Sequence, residues 1–244
     1  MTRLPRPPLL VVTDRTQAVR PLEAVAAAAF RGGCRWISLR EKDLDPGERR
    51  CLLERLAEAA APFGSAVGVH DDLKAAALCA GVHLPAGGDV GAARRALGAR
   101  ALVGVSTHSI DAAAAAEQAG ADYVTLSPVF ETASKPGYGP AVGLAALAAA
   151  ALRLSIPVLA LGGVRASTIR ACLDAGAAGV AVMGEVMRAP DPEATTAGLL
   201  AAAGWPPVGR VTVDRDSLGR DSLGRDSPGR DSLGPDRAGW DRGV

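Results

Sequence analysis

Two cations separated by one residue, Arg40 and Lys42, stand in the string Leu39-Arg40-Glu41-Lys42, directly after an apolar run. Together with Lys135 they supply the positive charge that a phosphate or pyrophosphate group needs. Asp71 and Asp89 follow two later apolar runs and offer hard oxygen ligands that could share a Mg²⁺ ion. Gly162-Gly163 and Gly184 follow the last two runs and present bare backbone N–H groups suited to a second phosphate. Each feature also has a plainer reading. An Arg and a Glu at a strand end form surface ion pairs, Gly-Gly makes tight turns, and Asp71-Asp72 can cap a helix, as Asp72 is expected to do. His70, His83 and His108 follow or sit in consecutive runs, but the neighbouring carboxylates suit Mg²⁺ better than zinc.

The elements that must position these residues are eight short Val/Ile/Leu-rich runs. They fall near Leu9–Thr13, Trp36–Leu39, Ala66–Val69, Val82–Leu84, Leu102–Val105, Tyr123–Leu126, Pro157–Leu161 and Gly179–Val182. Near-continuous apolar runs of four or five residues predict parallel strands buried on both faces. The segments between them read as helices. Gly47–Phe63 follows Asp45-Pro46 and carries Leu52, Leu53 and Leu56 on one face with charges on the other. Gly32-Gly33, Gly81, Gly120 and Gly176 are expected to end helices in the left-handed cap conformation. Eight strand–helix repeats with right-handed crossovers predict a single (β/α)₈ barrel, a TIM barrel of class α/β. The competing doubly wound sheet lacks a G-x-G-x-x-G after its first strand. In such a barrel the chemistry gathers in the loops after the strands, where the residues above fall, except His83, which sits inside a strand.

The 244 residues carry a net charge of +1 and 3% aromatics, which argues against a nucleic-acid surface. Cys34, Cys51, Cys79 and Cys172 form no C-x-x-C pair and read as reduced core thiols. The N-terminal apolar run ends too soon at Asp14-Arg15 for a signal peptide, and no stretch reaches membrane-spanning length. The expectation is a soluble, cytoplasmic protein with no membrane partner, and a homo-oligomer is compatible with the sequence. The barrel is expected over residues 1–205. From 206 to 244, repeated Arg-Asp-Ser-Leu-Gly units too poor in apolar side chains to offset ordering entropy predict a disordered tail.

Six ordered strings then identify a likeness. Leu39–Lys42 (LREK), Gly81–Leu84 (GVHL), Gly104–Ser109 (GVSTHS), ADYVTLSPVFET with SKPG, Leu161–Val164 (LGGV) and AGVAVMGEV resemble the thiamine phosphate synthase/TenI superfamily over about residues 9–203. The resemblance implies condensation of hydroxymethylpyrimidine diphosphate with thiazole phosphate, giving thiamine phosphate and pyrophosphate with Mg²⁺ as cofactor. By position, Arg40, Lys42, Ser106 and Lys135 would hold pyrophosphate, and Asp71 with Asp89 would hold Mg²⁺. Thr132 and Ser134 would contact the thiazole, Gly163 and Gly184 its phosphate, and Ser38, His70 and Met183 would be further substrate contacts. The chain departs from the synthase pattern at Ser38 (usually Gln), at His70 (usually Asn) and around Asp89, which falls one residue late. Its VHLP and VFET strings look like the TenI branch, a thiazole tautomerase, yet Pro128 stands where that branch places its histidine. A tautomerase-like activity and a non-catalytic phosphate-binding barrel are the alternatives.

Overall fold

The computed structural model describes residues 4–132 and 140–207. The strands are β1 (Leu9–Val12), β2 (Trp36–Leu39), β3 (Ala66–His70), β4 (Gly81–Leu84), β5 (Leu102–Thr107), β6 (Tyr123–Leu126), β7 (Val158–Leu161) and β8 (Gly179–Val182). They pair in sequence order, all parallel, and β8 closes on β1 with Leu10 opposite Ala181. The expected eight-stranded barrel is therefore present, and the expected strands differ from those observed only at their ends. The helices after these strands include α1 (Leu22–Arg31), α2 (Pro46–Ala60), α3 (Leu73–Ala76), α4 (Val90–Leu97), α5 (Ile110–Gln118), α6 (Gly143–Arg153) and α7 (Ala166–Asp174). A single turn, α8 (Gly184–Met187), follows β8 and leads into α9 (Pro192–Ala202). The Arg-Asp-Ser-Leu-Gly tract and its expected disorder lie outside the described residues, as do Ser134 and Lys135.

Side chains alternate between two apolar cores because successive strand residues face opposite sides. Leu9, Val11, Ile37, Leu39 and Val69 pack outward against helix residues such as Val25, Phe30, Leu52, Leu53 and Leu56. Leu10, Trp36, Leu102, Tyr123, Leu159 and Ala181 form the second core, inside the barrel. There the rings of Trp36 and Tyr123 meet edge to face at 4.9 Å. Gly104 makes room for them, since a Cβ at that position would overlap the Tyr123 ring.

Helix starts are set by side-chain caps. Asp45 and Glu48 form a reciprocal capping box on α2, and Asp72 accepts the Ala75 N–H at the start of α3. The helix expected over Gly47–Phe63 is α2 closed by a tighter 3₁₀ turn at Ala61–Phe63. Gly33, Gly120 and Gly176 adopt the expected positive φ after their helices. Gly81 does not end a helix. It opens β4, and a Cβ there would strike the Leu102 backbone, so its role is close approach of two strands. Cys34 and Cys172 are buried as expected, but Cys51 lies on the exposed face of α2. Among the described residues no helix is long and apolar enough to cross a membrane.

Candidate functional site

Towards the ends of β4, β5 and β6 the inward face turns from apolar to polar. Leu102 and Gly104 give way to Ser106 and His108, Tyr123 to Thr125 and Ser127, and Gly81 to His83. At the end of β2 the same alternation runs Trp36, Ser38, Arg40, Lys42. These polar ends open onto a cavity of about 530 Å³ lined by Arg40, Lys42, His70, Ser106, Thr132, Gly163, Met183 and Gly184, among others. The structure thus brings together eight of the residues expected at the site.

Arg40 and Lys42 are placed by the residue between them. Glu41 is buried at 3% exposure and accepts the Thr13 hydroxyl at 2.6 Å and the Arg15 backbone N–H at 3.0 Å. Thr13 Oγ1 in turn accepts the Arg40 N–H at 2.8 Å. Burial pushes the Glu41 carboxyl above its ordinary range, against the lowering effect of these donors. Glu41 is therefore a wall anchor that ties the end of β1 to the end of β2, and not half of a surface pair with Arg40.

The chain beyond β7 forms a floor of bare backbone. Gly162 and Gly163 take φ of +93° and +66°. The Val129 and Phe130 N–H groups donate to Leu161 and Gly162 carbonyls at 2.9 and 3.0 Å, binding the loop after β6 to this floor. Beside it stands Arg188, one turn after Gly184, bonded to Gln17 and occupying the space that a Cβ at Gly184 would need. Arg165, the residue before α7, is a further cation at the cavity. Among the described lining residues, four cationic side chains face two carboxylates, Glu131 and Glu185, a balance that favours an anionic ligand.

Between these walls lies His83, buried at 4% exposure, with Nδ1 3.0 Å from the Tyr123 hydroxyl and Nε2 2.9 Å from Ser106 Oγ. Burial pushes its pKa down to about 4, so the ring is neutral near pH 7. The His70 ring lies 5.3 Å away. His83, His108, Arg165, Arg188, Glu131 and Glu185 line the cavity without having been singled out for it from sequence. Two of the six carried a signal: His83 is a polar residue in the inward phase of an otherwise apolar strand, and Arg188 lies four residues after Gly184, on the same side of a helical turn.

Three expected positions lie elsewhere. Ser38 sits one layer below the cavity, buried at 3% exposure, against a small void that it shares with Trp36, Gly68, His83 and Tyr123. Asp71 is exposed with φ +53°, and Asp89 is the N-cap of α4. Asp89 Oδ1 accepts the Ala92 N–H at 2.7 Å, and Oδ2 lies 3.8 Å from Arg95. Neither aspartate lines the cavity, and no group of three or more His, Cys, Asp or Glu among the described residues could hold a metal ion. The expected carboxylate pair for Mg²⁺, Asp71 and Asp89, thus stands after β3 and β4, outside the residues that line the cavity. A role as cap alone predicts that Asp89→Ala lowers stability by about 1 kcal/mol and leaves turnover unchanged. Thermal melts and steady-state rates check this, and a collapse of turnover at unchanged stability would make Asp89 a ligand.

The fold and its mouth define an α/β barrel with a cationic, glycine-floored cavity at the ends of its strands. The family model described as thiamine monophosphate synthase matches residues 9–186, and the chain belongs to that family. A thiamine-phosphate synthase from Roseiflexus sp. is 39% identical over 196 residues, covering 78% of this chain and 83% of that protein. One from Salinispora tropica is 37% identical, covering 81% of this chain and 97% of that protein. Among solved structures, a thiamine phosphate pyrophosphorylase from Pyrococcus furiosus superposes with a TM-score of 0.73 at 28% identity, covering 80% of this chain and 95% of that one.

Proposed function

We propose that this protein is a thiamine phosphate synthase. It condenses hydroxymethylpyrimidine diphosphate with thiazole phosphate and releases pyrophosphate. The carrying observation is a single cavity with an anchored Arg40/Lys42 pair on one wall and a bare Gly163/Gly184 floor with Arg188 on the other. Two such regions in one cavity suit one diphosphate and one monophosphate substrate.

In the reaction the bond between the pyrimidine methylene and the diphosphate oxygen breaks, and the electron pair leaves with the diphosphate. The thiazole nitrogen then donates its lone pair to the methylene cation. The protein has little covalent chemistry to perform, so catalysis is charge stabilisation and positioning. Arg40, Lys42, Ser106 and Lys135 receive the developing diphosphate charge. Thr132 and Ser134 orient the thiazole ring, while Gly163, Gly184 and the neighbouring Met183 receive its phosphate. His70 faces the pyrimidine.

Mixing the protein with both substrates in the presence of Mg²⁺ and measuring pyrophosphate and thiamine phosphate tests this reading. Equal amounts of the two products are expected. Folded protein that releases neither would overturn it. Repeating the assay with divalent cations chelated shows whether turnover needs a metal.

A further inference from the structure

The buried Tyr123–His83–Ser106 chain does something that the cations do not. Tyr123 is 2% exposed, and among the described residues its hydroxyl has one hydrogen-bond partner, His83 Nδ1. A phenol sealed inside a barrel donates its proton where it can, because a buried O–H left without an acceptor forfeits its whole hydration. Burial also drives the Tyr123 pKa upward, so the phenol keeps that proton. Nδ1 must then be the bare, accepting nitrogen of a neutral ring. The ring proton sits on Nε2 and points at Ser106 Oγ, 2.9 Å away, with Thr125 Oγ1 a more distant neighbour at 3.5 Å.

A serine hydroxyl that accepts from an N–H has its own hydrogen left over. Ser106 lies on the inward face of β5 and lines the cavity. We infer that Tyr123, acting through His83, is a positioning residue that makes Ser106 an obligate hydrogen-bond donor towards an anionic ligand in the cavity. With the other tautomer, Ser106 would spend its proton on His83 and present only lone pairs to that ligand. Such a chain is fixed before the ligand arrives, which is what stabilisation of developing negative charge requires. That the ligand is a diphosphate rests on the synthase reading; the tautomer does not.

The test begins with the intact protein labelled with ¹⁵N histidine. Two-bond proton–nitrogen correlations are expected to show His83 with hydrogen on Nε2 and a bare Nδ1, and hydrogen on Nδ1 would overturn the inference. Titration with inorganic pyrophosphate should be about tenfold weaker in Ser106→Ala, the loss of one hydrogen bond to a charged group, and undiminished binding would remove the donor. Tyr123→Phe should alter the His83 nitrogen pattern and weaken pyrophosphate binding by less than Ser106→Ala does. An unchanged nitrogen pattern would remove Tyr123 from the chain. Failure of the synthase reading shows separately, as absence of thiamine phosphate formation from a protein whose His83 spectrum is as expected.

Discussion

Arg40→Ala is expected to lower kcat at least tenfold while leaving the melting temperature within a few degrees of the parent. The guanidinium lines the cavity, whereas the fold at this point depends on other atoms. The Arg40 N–H is held by Thr13 Oγ1, and Thr13 is held by the buried Glu41, so alanine keeps every bond that shapes the wall. What it loses is a positive charge and a fork of donors at the cavity, which the proposed reaction uses on the leaving diphosphate. Removing one preorganised donor from developing negative charge costs about 10²–10³ in rate in well-studied hydrolases. Lys42, two residues on and also in the cavity, retains part of the field, which sets the tenfold lower bound. Arg40→Lys should recover only part of the loss, because a point charge does not reproduce the bidentate geometry. Steady-state rates at saturating substrates, with melts as control, decide the matter. An Arg40→Ala enzyme at parental kcat would move the leaving group elsewhere in the cavity.

The barrel was readable because its strands are buried on both faces, and a doubly buried parallel strand has to be a short run of apolar residues. All eight runs satisfied that requirement, and the glycines after α1, α5 and α7 marked the returns. The cavity was readable where charge breaks an apolar run, as at Arg40 and Lys42. It was less readable where function depends on which face a residue takes. Ser38 and Arg40 differ by two positions in the same inward phase, yet one is sealed in the barrel and the other reaches the mouth, because depth along the strand is fixed by registers to neighbouring strands. His83 looked internal to its strand, which is correct, but being internal to a barrel strand places it directly beneath Ser106's hydroxyl. Asp89 looked like a ligand because aspartate after a strand is both a metal donor and a helix cap. Local geometry shows the cap: one carboxylate oxygen accepts the Ala92 N–H three residues ahead.

The second large effect is expected at Gly163, where backbone conformation and close approach coincide. Its φ is +66°, and a Cβ would lie 2.5 Å from the Glu131 carbonyl oxygen and 2.6 Å from Phe130 Cβ. Gly87 provides the internal comparison, with φ +77° and nothing within 4 Å of the added atom. Gly87→Ala should therefore cost only the left-handed conformation, about 1–2 kcal/mol. Gly163→Ala adds an overpacking cost of roughly 1–3 kcal/mol and is expected to lower the melting temperature by about 5–15 °C for a domain of this size. Its consequence for function follows from what has to move. Phe130 N–H donates to the Gly162 carbonyl, so relieving the clash pushes the loop after β6 away from the floor, and that loop carries Glu131 and Thr132 into the cavity. The KM for thiazole phosphate should rise at least tenfold in Gly163→Ala and stay at the parental value in Gly87→Ala. Two variants alike in stability and in KM would mean that positive φ alone explains the glycine, and that the floor does not position the phosphate.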